Sequence, residues 1–267
     1  MTTHTLGVIG GGNMAEALLR GAIKGNVLRA GEIVVSEPLP ARREAMAALG
    51  LAVTDDNAAA AACEHVLLAV KPQMMAGVLA QIAPVMRSDA LVISIAAGIS
   101  TARIDSLLGG RGRIVRVMPN TPMMVGEGMS GLAAGPRATD ADLLWTRRLT
   151  DASGKSVVLA EDQIDALTAV SGSGPAYFFY VIEAMVAAGV AEGLDEPTAL
   201  LLASQTCAGA AALLAGSGES PQVLRARVTS PGGTTQRAIE TLDAANVRAA
   251  FTSAVRAAAA RSRELGR

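Results

Sequence analysis

Gly10-Gly11-Gly12-Asn13-Met14-Ala15 follows a short apolar run, Leu6-Gly7-Val8-Ile9, and opens a stretch with helical rhythm. In a strand–turn–helix of this kind one glycine makes a tight turn and a second brings main chain up to a phosphate. A small third residue then lets helix and strand pack closely. Free N–H groups and the positive dipole end at the helix start would face a pyrophosphate. A GxGxxA pattern alone is weak in a chain with 28 glycines, but its setting strengthens it. Ile9, Gly10, Gly11, Gly12, Asn13 and Met14 are therefore candidate cofactor-binding residues. The bland alternative is a glycine turn that binds nothing.

Two more loops belong to the same chemistry. Ser36-Glu37-Pro38 ends the second apolar run, where an acid about 20 residues beyond the first glycine reads the adenosine ribose. Glu37 comes 27 residues after Gly10 (37 − 10). A carboxylate there favours NADH, whereas Ser36 with Arg42 or Arg43 would favour NADPH, and both cofactors stay open. Val70, Lys71 and Pro72 close one run and Ala96 and Ala97 close another, so they should line the nicotinamide side, beyond the carboxyl ends of the strands. Lys71 is one of three lysines; its alternative is a plain surface charge.

These residues need a framework, and the chain has two rhythms. Up to about Leu159, runs such as Leu6–Ile9, Ile33–Val35, Val66–Val70, Leu91–Ile95, Ile114–Val117 and Ser156–Leu159 alternate with helical stretches such as Asn13–Lys24 and Pro40–Ala48. Nearly continuous apolar runs of this length read as parallel strands covered on both faces. The fold class is thus α/β: an N-terminal Rossmann-type dinucleotide-binding domain over residues 1–160. From Glu161 the strand signals stop. Asp162–Gly189, Pro197–Ala215, Thr234–Asp243 and Val247–Leu265 read as helix, with breaks around Gly216–Pro221 and Ser230–Gly233, giving an all-helical domain over 161–267.

Composition excludes some classes. Among 267 residues the net charge is −1 and aromatics are 2%, so neither a basic patch nor a base-stacking platform for nucleic acid is expected. No unbroken run of about 20 apolar residues occurs, so no membrane span is expected. The N-terminus lacks the pattern of a secretory leader. Cys63 and Cys207 form no metal-ligand spacing, and a reduced cytoplasmic protein is expected.

Five collinear motifs carry a resemblance over essentially the whole chain: Ile9–Leu18, Ala69-Val-Lys-Pro72, Arg116-Val-Met-Pro-Asn-Thr-Pro122, Ser171-Gly-Ser-Gly-Pro-Ala-Tyr-Phe178 and Ser230-Pro-Gly-Gly-Thr-Thr235. The sequence resembles the pyrroline-5-carboxylate reductases, which reduce a cyclic imino acid to proline with NADPH or NADH. The resemblance implies a helical domain that dimerises, with dimers able to assemble into rings. It places the substrate carboxylate at Gly232, Gly233, Thr234 and Thr235, and makes Thr235 the hydroxyl that reaches the ring nitrogen. It also sets Glu161 near the substrate and Asn57 near the cofactor. The alternatives are ordinary ones: a helix cap at Thr234-Thr235, an N-terminal helix acid at Glu161, a helix N-cap at Asn57. On physical grounds, Gly232 to Thr235 lie at a turn before a helix and would offer unpaired N–H groups to a carboxylate.

The available groups suit imine reduction. Hydride transfer to a C=N carbon needs position and a proton for nitrogen, not a strong base. His4 and His65 lie outside every motif, and from Glu161 onward there is neither His nor Lys. Alcohol dehydrogenation generally wants such a base, which counts against a β-hydroxyacid dehydrogenase relative. A non-catalytic dinucleotide sensor would not need the Thr234-Thr235 seat. A six-membered imine stays open as a substrate, since one methylene discriminates by only ~1–3 kcal/mol.

Overall fold

The computed structural model describes residues 4–266. The stretch read as lacking a leader begins in residues 1–3, outside the described residues.

Apolar runs bounded by turns become a single eight-stranded sheet: β1 (Leu6–Ile9), β2 (Ile33–Ser36), β3 (Ala52–Thr54), β4 (His65–Leu68), β5 (Leu91–Ser94), β6 (Arg113–Met118), β7 (Gly128–Ala134) and β8 (Gly154–Val158). Their order is β3-β2-β1-β4-β5-β6-β7-β8. Every pair is parallel except β6–β7. β1, β2, β4 and β5 are buried along their whole length, as strands covered on both faces must be. Alternate residues feed two cores. Leu6, Val8 and Leu67 pack with Leu18, Leu19 and Ala22 of the helix Asn13–Lys24. Val66, Leu68 and Val92 pack on the opposite face with Leu79, Ile82 and Ile104.

Two strands exceed the sequence expectation. β3 has three residues and sits at the sheet edge, too short to stand out as a run. β7, Gly-Met-Ser-Gly-Leu-Ala-Ala, is diluted by glycine and serine, which are poor strand formers. Gly131 has a packing reason: a Cβ there would lie 2.3 Å from Leu167 Cδ1. The expected strand Val66–Val70 begins at His65 and ends at Leu68, because the chain turns away at Ala69 to start the next crossover.

The expected helix over 162–189 is not one piece. A 3₁₀ turn (Glu161–Gln163), a short helix (Ile164–Leu167) and a π-helical turn (Thr168–Gly172) precede the helix Gly174–Ala191. The glycines and Pro175, which lacks an N–H, interrupt the regular ladder. The break expected around Gly216–Pro221 is shorter than read, since Ser220 caps a helix over Pro221–Arg227.

Packing divides the chain into Met1–Ser173 with Ala258–Arg267, and Gly174–Ala257. Leu167 seats over Gly131 and Glu161 bonds Thr101, which ties the segment just after residue 160 to the first unit. In the second unit Phe178, Phe179, Tyr180 and Leu201 are exposed apolar side chains. The expectation of no membrane span rests on the lack of an unbroken run of about 20 apolar residues. Glu161–Ala191 and Glu196–Ser217 are long and apolar enough by length and composition alone. An unbroken apolar run is a stricter requirement than mean hydropathy, which tolerates interspersed Ser, Thr and Gly.

Candidate active site

The glycine turn sits where the strand order reverses, between β1 and its neighbours β2 and β4. Gly10 has φ +100, and a Cβ there would come 2.7 Å from the Ala69 carbonyl oxygen, so only glycine fits this crossing. Gly12 differs. Its φ of −71 is ordinary, and a Cβ would meet nothing within 4 Å. No side chain caps the helix that starts after it, so open space lies beside a helix N-terminus with unpartnered donors. Those features fit a dinucleotide pyrophosphate.

Gly11 is held from both sides. Its N–H donates to Glu37 Oε2 at 2.7 Å, and its carbonyl accepts from Arg42 Nε at 2.8 Å. Arg42 also reaches Glu16 Oε2 at 2.8 Å. Hydrogen bonds from Arg20, with those from Arg42, hold the Glu16 carboxyl below the ordinary glutamate range. Glu37 Oε1 accepts from Leu39 N at 2.9 Å, and Arg43 donates to the carbonyls of Glu37 and Pro38. Sequence reasoning named Arg42 without finding its grip on Gly11, which spans 31 positions and leaves no local signal.

Ser36 donates from its hydroxyl to Asn57 Oδ1 at 2.7 Å, and Asn57 Nδ2 donates to Gln81 Oε1. The reading of Asn57 as an N-cap is corrected: Asp56 caps that helix through the Ala58 N–H, and Asn57 is its first residue. A carboxylate one position earlier is an equally good cap, and it leaves the Asn57 amide for Ser36. Lys71 and Pro72 are exposed just past β4, with Val70 half-buried. Beyond β5, Ala96 is buried and Ala97 exposed. Ile9 and Met14 flank the glycine turn, the first buried and the second half-buried.

Glu161 has partners of its own. It accepts from the Thr101 N–H at 2.7 Å and hydroxyl at 2.5 Å, and from Arg116 at 3.2 Å. Arg116 lies on β6 with its side chain 9% exposed. This favours a structural clamp over a substrate contact for Glu161. Asn120, in the motif after β6, donates to the Ser171 carbonyl and hydroxyl and accepts from the Met129 N–H. The motif was visible, but its link to the π-helical turn was not.

In the second unit the helix Thr234–Ala244 starts at Gly233 without a side-chain cap. The expected free amides are fewer than read. The Gly232 N–H donates to Gln236 Oε1 at 2.7 Å, and the Gly233 N–H to the Ser230 carbonyl at 3.0 Å. The turn closes on itself and Gln236 folds back over it, so the donors left at the helix start begin at Thr234. Gly232 has φ +72, which favours glycine, and Thr235 is half-buried.

The only histidine paired with a ring is remote from the glycine turn, among the described residues. His65 opens β4 at the amino end of the sheet and stacks on Trp145, with centroids 4.0 Å apart. Its Nδ1 is buried without a partner, and burial pushes its pKa below the ordinary value.

Comparison with known proteins agrees with this geometry. Residues 161–265 match the family model described as pyrroline-5-carboxylate reductase dimerisation. Residues 5–98 match the one described as NADP oxidoreductase coenzyme F420-dependent. The chain is 43% identical to a pyrroline-5-carboxylate reductase of Methanosarcina acetivorans, over 100% of both chains. A solved pyrroline-5-carboxylate reductase from Coxiella burnetii is similar with a TM-score of 0.94 and 38% identity, covering 99% of each chain. A Plasmodium falciparum pyrroline carboxylate reductase solved with NADP bound is similar with a TM-score of 0.88 and 30% identity, covering 100% of each.

Proposed function

The chain belongs to the pyrroline-5-carboxylate reductase family, oxidoreductases that use NAD(P)H on a cyclic C=N bond, and we propose which of its residues carry that reaction. The reaction is reduction of 1-pyrroline-5-carboxylate to L-proline, the last step of proline biosynthesis. We assign the cofactor to Ile9–Met14, Ser36, Glu37, Asn57, Val70–Pro72, Ala96 and Ala97, within residues 1–160. The observation that carries this assignment is the open space beside Gly12 at an uncapped helix start.

When bound, the reduced nicotinamide supplies a hydride to the imine carbon. This chain's residues do the rest. Main-chain amides at the start of the helix Asn13–Lys24 hold the pyrophosphate, where the dipole favours negative charge. Over residues 161–267, the amides at Thr234 and Thr235 take the substrate carboxylate by the same physics, while Gly232 and Gly233 shape the turn. The Thr235 hydroxyl holds the imine nitrogen and relays the proton that this nitrogen gains as the carbon gains hydride. Solvent replaces the proton, so no strong base is required.

The family dimerisation model over 161–265 supports an oligomer, for which the exposed Phe178, Phe179, Tyr180 and Leu201 are suited. The homodimer is the working assembly in this reading, with rings of dimers as a further step, in the cytoplasm. The test is a spectrophotometric assay of purified protein with pyrroline-5-carboxylate and each reduced cofactor. Proline formation with cofactor oxidation is the expected result. Tight cofactor binding without proline would sink the assignment.

A further inference from the structure

We infer that Glu37 makes this chain select an unphosphorylated adenosine ribose, so that NADH is its working cofactor and NADPH a poor one. The inference rests on the cofactor seat assigned above.

Glu37 follows β2 directly and is 7% exposed. Two main-chain donors fix its carboxylate, the Gly11 N–H at Oε2 and the Leu39 N–H at Oε1. Each carboxylate oxygen accepts about two hydrogen bonds, so one position remains on each. Ribose hydroxyls can donate to them. A 2′-phosphate at pH 7 offers oxygens that mainly accept and brings negative charge beside a carboxylate that the loop holds in place. The conflict cannot be relieved by swinging Glu37 away without freeing Gly11 from its partner.

Each of the groups that would welcome such a phosphate already has a partner. Arg42 donates to the Gly11 carbonyl and to Glu16, and Arg43 to the carbonyls of Glu37 and Pro38. The Ser36 hydroxyl donates to Asn57. Lys71 follows β4, which lies on the other side of β1 from β2. Recruiting Arg42 would break two bonds, one of which holds the glycine turn in shape.

The experiment is calorimetric titration of the full-length protein with NADH and with NADPH, without imine. The wild type should bind NADH at least about tenfold more tightly, because like charges brought together are costly. Glu37→Gln should narrow that ratio mainly by improving NADPH binding. Arg42→Ala should keep the preference for NADH. Equal or tighter NADPH binding by the wild type overturns the inference, and this arm needs no variant to fold. An unchanged ratio in Glu37→Gln, or a selective loss of NADPH binding in Arg42→Ala, also overturns it. Preference for NADH without proline formation would refute the proposed reaction and leave this inference standing. Proline formation with no cofactor preference would do the reverse.

Discussion

Thr101 donates both its amide and its hydroxyl to Glu161, joining the end of the β5 crossover loop to a residue 60 positions later. Arg116 completes the cluster from β6. Removing the acid's charge leaves a largely buried guanidinium with a weaker partner. Glu161→Gln is expected to lower unfolding stability by about 1–3 kcal/mol, the usual range when a charged hydrogen bond is weakened. Urea denaturation checks this. Unchanged stability with a raised KM would instead return Glu161 to the substrate.

Gly12 separates a binding role from a folding role. A methyl group there meets no protein atom within 4 Å, and the backbone conformation suits any residue. Gly12→Ala is therefore expected to keep the melting temperature within a few degrees. Cofactor affinity should fall about tenfold or more, because main chain must approach the pyrophosphate closely. An unaltered dissociation constant would mean that the open space is not where phosphate lies.

At the proposed substrate seat, Thr235→Ala is expected to cut kcat/KM by about 10²-fold, the lower end of what positioned proton transfer contributes. Cofactor affinity should stay as it is. Steady-state kinetics with equilibrium binding distinguishes the two quantities, and unchanged kinetics would remove Thr235 from the reaction.

His65 gives a pH signature in stability. Burial lowers its folded pKa below 6.5, an effect only partly opposed by Glu64, the Thr5 carbonyl and Asp142 and reinforced by Arg113. The unfolded chain then takes up a proton first as pH falls, so His65 contributes less stability below its unfolded value. That loss is complete once pH passes below the folded value. His65→Phe keeps a flat ring against Trp145 and removes this titration. Between pH 7 and 5 the wild type should lose more stability than the variant; parallel curves would contradict the assignment.

Local rhythm made much of the fold legible. Asn13–Lys24 and Val247–Leu265 read correctly to the residue, and β1 stood out because its residues are apolar on both faces. What escaped depends on partners distant in sequence. β7 is a strand because β6 and β8 flank it, not because Gly-Met-Ser-Gly prefers one. In the same way, nothing near Gly232 announces that Gln236 will occupy its amide. Glu37 could be named from its place after a strand, yet its bond to Gly11 arises only when two strand ends come together.

Gly131 also limits how this chain can be cut. Leu167 lies where the side chain of any other residue at 131 would be, so the sheet is finished by a residue beyond position 160. A truncated protein ending at 160 would lack that plug and bare an apolar notch to water. A nucleotide-binding fragment meant to live alone should therefore retain the segment through Ser173.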